Sequence, residues 1–227
     1  MHGVSEMGLL ILDIQHRGNP NRPDSYGAHI DLDGDGVKEA WEREAALTPD
    51  YAAAASWEMA RQGHLVCFEP AGPSDYATRW GRAIALAMAH PDMPIVYAAC
   101  HLNMGGFTKG LVFHDARSSG GYSVAHLVAS HLANISELGG AKAIASYYKA
   151  RPSEPADRQD PSLHWTRRAL YTITGIYSGP RNLCGVCFEP WYLDNPDHRS
   201  LATPEGCGRV GGALAAGICD WFNQWPG

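Results

Sequence analysis

The chain has 227 residues, 45% of them hydrophobic, which is enough to bury one sizeable core and excludes a disordered or fibrous protein. Its net charge of −6 argues against a nucleic-acid binder, and the whole deficit is N-terminal: residues 1–50 hold ten acids and four bases, while the remaining fourteen of each cancel. A local acidic surplus of this kind belongs either to a cation site or to a solvated acidic face.

The first element is the apolar run Met7-Gly-Leu-Leu-Ile-Leu-Asp-Ile14, a buried strand over 8–14. It is far too short to span a bilayer, and it has neither a basic n-region nor a small-residue cleavage site. The expectation is therefore no signal peptide and no membrane insertion. Residues 38–62 are rich in Ala and Glu, with Trp41, Ala45, Leu47 and Met59 at helical spacing, and predict a long helix. Short apolar runs then predict strands at 64–69, 94–100, 110–114 and 183–188, and helical patterns cover 75–90, 122–138, 162–174 and 207–222. The stretch 151–161 has three prolines and no periodicity, so it reads as a loop. Strands alternating with helices predict an α/β fold: a twisted, largely parallel mixed sheet with helices on both faces, in a single domain over 1–227.

The six cysteines read as reduced core thiols, since a chain of this size without a secretory signal has no need of a disulfide framework. Cys184 and Cys187 form a lone C-x-x-C inside a predicted strand, where residues three apart point to opposite faces. That spacing argues against a shared metal site.

Three chemically active side chains follow predicted strands directly: His16 after the first, His101 after the third, and Glu189 at the end of the last. In open α/β sheets the ligand crevice lies at the carboxyl ends of the strands. Two imidazoles and a carboxylate delivered to one edge are candidates for a shared site, against the alternative that each is a hydrogen-bonded structural residue.

Four motifs in chain order carry a resemblance. They are Ile11-Leu-Asp-Ile-Gln-His16-Arg-Gly, a Glu opening the helix that runs to Gly63-His-Leu-Val66, Ala98-Ala-Cys-His101-Leu-Asn103-Met-Gly-Gly, and Phe188-Glu189-Pro-Trp-Tyr-Leu-Asp-Asn195. A Gly/Ala-rich closing segment, Gly211 to Trp221, follows them. In this order they resemble the type-3 zinc-dependent N-acetylmuramoyl-L-alanine amidases from about residue 8 to residue 222. The chain departs from that family at Gln15 and Arg17 beside His16, at Pro190 and Trp191 after Glu189, and at Phe68-Glu69-Pro70, where a Thr-Arg is customary.

The resemblance implies zinc held by His16, Glu44 and His101, with water in the fourth position, as catalytic zinc sites require. Counting back through the helix selects Glu44, with Glu42 the runner-up ligand. The implied general base is Glu189, which would take a proton from water and pass it to the departing amine. The implied reaction is hydrolysis of the amide joining N-acetylmuramic acid to L-alanine, with bacterial peptidoglycan as the binding partner. Without an export signal the chain looks most like a phage endolysin, made in the cytoplasm and reaching the wall after holin-type release.

A second cation site is read from the residues themselves. Asp31-Leu-Asp33-Gly-Asp35-Gly36-Val37-Lys-Glu-Ala-Trp-Glu42 fits the D-x-D-x-D-G-x₅-E calcium loop at every specified position. Asp31, Asp33 and Asp35 supply carboxylate oxygens, Val37 its carbonyl, and Glu42 closes bidentately, so the expected ion is a structural Ca²⁺ beside a catalytic Zn²⁺. His16 and Glu44 are 28 residues apart, longer than is usual for the corresponding amidase ligands, and an EF-hand-like loop inserted at 31–42 accounts for much of the excess. Two competing functions remain. One is a zinc peptidase or carboxypeptidase acting on stem peptides, although no H-E-x-x-H is present. The other is a non-catalytic, calcium-dependent wall-binding module.

Overall fold

The computed structural model describes residues 7–14, 31, 35, 37, 43–69, 76–146, 173 and 175–226. Strands β1 (Leu9–Ile14), β2 (Leu65–Phe68), β3 (Ile95–Cys100), β4 (Gly110–Asp115), β5 (Ala141–Ser146) and β6 (Leu183–Glu189) form one sheet in the order β2-β1-β3-β6-β4-β5. Every neighbouring pair is parallel except β4 with β6, which run antiparallel. Helices α1 (Glu44–Arg61), α2 (Tyr76–Ala89), α3 (Ser119–Leu132) and α4 (Pro204–Gln224) cover it, and a 3₁₀ helix spans Pro196–Ala202.

Period-two alternation divides the core. Leu10, Leu12, Ile14, Val96, Ala98, Val186 and Phe188 pack with α1, α3 and α4 on one face. On the other, Leu9, Ile11, Ile95, Tyr97, Ala99 and Cys187 pack with Ala83 and Ala87 of α2 and with Ile173 and Ile176. Both faces are covered, which is why the parallel strands are near-continuous apolar runs. Cys184 lies in the first layer and Cys187 in the second, and all six cysteines are free thiols. Helix α4 approaches α1 and α3 at glycines: a Cβ at Gly211 would collide with the Tyr51 carbonyl, and one at Gly217 with the Val128 backbone. No helix among the described residues is long and apolar enough to cross a membrane.

The differences from the sequence expectation are local. Helix α1 starts at Glu44, after an extended Arg43 with no side-chain cap, and residues 38–42 of the expected helix lie outside the described residues. Helix α3 starts at Ser119 because the Ser118 hydroxyl accepts the Gly121 amide at 2.9 Å, and it ends at Leu132 instead of 138. Helix α4 starts three residues early because Thr203 caps it and Pro204 suits its first turn. Strand β5 was not anticipated. Its sequence AKAIAS is too weakly apolar to signal a strand, and it forms by pairing along the free edge of β4. Of the helix expected over 162–174, only Ile173 falls among the described residues.

Candidate active site

The sheet order sets the position of the site. From β1 the chain moves through α1 to β2 on one side, then through α2 to β3 on the other. A crevice therefore opens at the carboxyl ends of β1 and β3, and β6, parallel to β3, ends beside it. His101 follows β3, Glu189 is the last residue of β6, and His16, two residues past the end of β1, lies outside the described residues.

Helix α1 brings two groups to His101. Glu44, in its first turn and buried, places Oε1 3.1 Å from His101 Nδ1, and the Leu102 amide donates to the same oxygen at 2.9 Å. Tyr51, two turns further along the same face, donates its hydroxyl to the His101 carbonyl at 3.0 Å. Tyr51 is itself held edge-on by Phe188 at 5.6 Å and by Trp191 at 5.7 Å. The ring and the backbone of His101 are thus fixed by one helix face. Burial would push the His101 imidazole down, but the hydrogen bond to Glu44, together with the Glu44 and Glu189 charges, outweighs it and holds the pKa above the ordinary value.

Glu189 sits in a different environment. Its Oε2 accepts from Asn103 Nδ2 at 2.6 Å, and its Oε1 faces the Cys187 thiol at 3.8 Å. Burial raises its pKa to about 7, reinforced by the Glu44 charge and opposed by His101 and the two hydrogen bonds. Of two buried carboxylates at one strand edge, Glu44 is paired with an imidazole and Glu189 is poised to exchange a proton near neutrality. Asn103 stood in the sequence motif without a role, and its contact with Glu189 joins residues 86 apart, which no local spacing signals. Tyr51 was also missed, although its place seven residues after Glu44 puts both on one helix face.

The two described residues of the expected ligand set, Glu44 and His101, are spaced compatibly with a shared zinc ion. Two ligands at about 2.0–2.1 Å from a tetrahedral metal stand roughly 3.3 Å apart. The Glu44 Oε1 to His101 Nδ1 separation of 3.1 Å is close to that. Glu44 and His101 are two of the three expected ligands. No group of three or more metal-binding side chains comes together among the described residues. Of the expected calcium loop, Asp31, Asp35 and Val37 are described and Asp33 and Glu42 are not. Asp35 Oδ1 accepts the Val37 amide at 2.7 Å, a turn closed by its own carboxylate.

A second buried polar cluster lies under the crevice. Asp13, in β1, is 1% exposed; Arg79 of α2 and the Tyr97 hydroxyl of β3 both donate to its carboxylate. Glu69, at the departure from the family motif after β2, pairs with Arg82 at 2.7 Å. Trp191, another departure, is a core residue beneath the site, and its carbonyl accepts the Asn103 amide at 3.0 Å.

No protein-family model and no curated protein matches the sequence. Solved structures do. The N-acetylmuramoyl-L-alanine amidase from Clostridium difficile 630 aligns over 98% of this chain and 100% of its own, with TM-score 0.64 and 13% identity. The N-acetylmuramyl-L-alanine amidase Ami1 from Mycobacterium smegmatis aligns over 97% and 99%, with TM-score 0.61 and 17% identity. Cwp6 from Clostridium difficile aligns over 96% of this chain at TM-score 0.62 and 16% identity, and the chain spans only 30% of its length. From its first strand to its closing helix, the chain has the fold of the solved N-acetylmuramoyl-L-alanine amidases.

Proposed function

We propose that the protein hydrolyses the amide bond between N-acetylmuramic acid and L-alanine in bacterial peptidoglycan. The observation that carries this reading is the pairing of two unlike buried carboxylates at the carboxyl ends of β3 and β6, Glu44 against His101 and Glu189 against Asn103. The shared fold and the four sequence motifs support the substrate. His16, Glu44 and His101 would hold a zinc ion, which when bound polarises the scissile carbonyl and acidifies water. Glu189 takes the proton of the attacking water and gives it to the departing alanine nitrogen. Asn103 fixes one oxygen of Glu189, while the Leu102 amide and Tyr51 hold Glu44 and His101 in register.

Mass spectrometry of products from purified sacculi tests the reaction. New N-terminal L-alanine is expected; cleavage within the stem peptide would favour the peptidase, and binding without any released product the wall-binding module.

His101→Ala removes one of the proposed ligands and is expected to lose both bound zinc and activity. Elemental analysis showing full zinc occupancy in that variant would place the metal elsewhere. For Asp31, Asp33, Asp35, Val37 and Glu42 we propose a structural calcium ion. It would order the chain immediately before Glu44, and at a hundredfold excess over its Kd it would stabilise the fold by about 2.7 kcal/mol. Thermal unfolding of zinc-loaded protein should shift upward with millimolar calcium in the wild type and not in Asp33→Ala. Equal midpoints in the wild type with and without calcium would remove this site.

A further inference from the structure

The loop between β3 and β4 carries two large apolar side chains into solvent beside the site: Met104 is 43% exposed and Phe107 66%. The backbone that carries them is held by side-chain hydrogen bonds. The Met104 amide donates to Asn103 Oδ1 at 2.8 Å, and the Gly105 and Gly106 amides donate to the Asp194 carboxylate at 2.8 and 3.0 Å. Asn195 Nδ2 donates to the Phe107 carbonyl at 2.8 Å. Gly105 and Gly106 have φ of +130° and +67°, which only glycine adopts without strain, so the tight path of the loop is built into its sequence. The Phe107 ring is braced edge-on by Tyr192, centroids 5.5 Å apart, and Tyr192 is bridged through its backbone to Asn103, whose side chain donates to Glu189 at 2.6 Å.

We propose that Phe107, set beyond Tyr192, is a substrate-positioning platform for a pyranose ring of the glycan strand outside the disaccharide whose stem peptide is cut. The inference rests on the peptidoglycan reading above. A peptide bound by strand addition needs main-chain hydrogen bonds to a free backbone edge. Here three successive amides and the Phe107 carbonyl are already engaged by Asn103, Asp194 and Asn195. The loop therefore offers a rigid, flat apolar face, which matches the C–H face of a sugar ring. Because the brace and the loop are held by other side chains, truncating Phe107 removes the platform and leaves its supports.

The test measures Phe107→Ala and Phe107→Trp on long glycan strands carrying stem peptides and on a single disaccharide-peptide, and measures binding of peptide-free glycan strands by calorimetry. Phe107→Ala should raise KM on long strands by up to roughly tenfold, the scale of a lost aromatic contact, with a smaller penalty on the disaccharide-peptide and weakened binding of bare glycan. Phe107→Trp should restore both. An equal penalty on long and short substrates, or bare glycan bound equally by the wild type and Phe107→Ala, would overturn the proposal. Glycan binding that depends on Phe107 without any release of N-terminal L-alanine would instead refute the amidase reading and leave the platform standing.

Discussion

Glu189→Gln is expected to keep the fold and the zinc while losing about 10²–10⁴-fold in turnover, the usual worth of a positioned general acid–base. The glutamine retains the shape that accepts the Asn103 amide at 2.6 Å but cannot carry a proton between water and amine. A metal ligand would behave differently, since its loss would empty the site. The same substitution has a second effect, opposite in sign. Burial raises the Glu189 pKa to about 7 from 4.5, so the folded protein favours the protonated acid. That stabilisation is fully present below the unfolded pKa near 4.5 and is lost as the pH rises through about 7. In metal-free protein, Glu189→Gln should therefore be more stable than the wild type above pH 7, by up to about 3 kcal/mol, with the advantage shrinking towards pH 4.5. Near wild-type hydrolysis by the zinc-loaded variant would remove Glu189 from the mechanism. Equal unfolding midpoints across that pH range in the metal-free pair would remove the buried charge.

Arg79→Met is expected to destabilise the protein by about 3–5 kcal/mol. Arg79 and Asp13 are both buried and joined in an ion pair, and Tyr97 supplies a further hydrogen bond to the same carboxylate. Removing the guanidinium leaves a buried charge with only partial compensation, in the strand whose chain continues to His16. Replacing both partners, as Asp13→Asn with Arg79→Met, should recover much of the loss, because the double variant leaves no carboxylate charge buried at this position. Urea unfolding measures each variant. A loss under about 1 kcal/mol for Arg79→Met, or strict additivity in the double variant, would show that the pair is effectively solvated.

Much of the fold was legible because its signals are local. Apolar runs such as Leu9–Ile14 and Leu183–Glu189 announce strands buried on both faces, and alternation placed Cys184 and Cys187 in different layers. The strand-end positions of His101 and Glu189 followed directly from those runs. Residues that form structure only through distant partners left no such trace. Strand β5 exists because β4 has an open edge, and the early starts of α3 and α4 depend on caps at Ser118 and Thr203.

Within the candidate site, the sequence determined the residue types and the edge of the sheet to which they are delivered. The family resemblance implied that Glu44 meets His101; only the tertiary structure decided that Asn103 holds Glu189, and that Asp194 and Asn195 brace the loop carrying Phe107. These contacts join residues 57, 86, 89 and 88 positions apart. A helix or strand period extends over a few residues and fixes which way a side chain faces. It says nothing of what stands opposite, which is settled by strand order and by the packing of α1 against the end of the sheet.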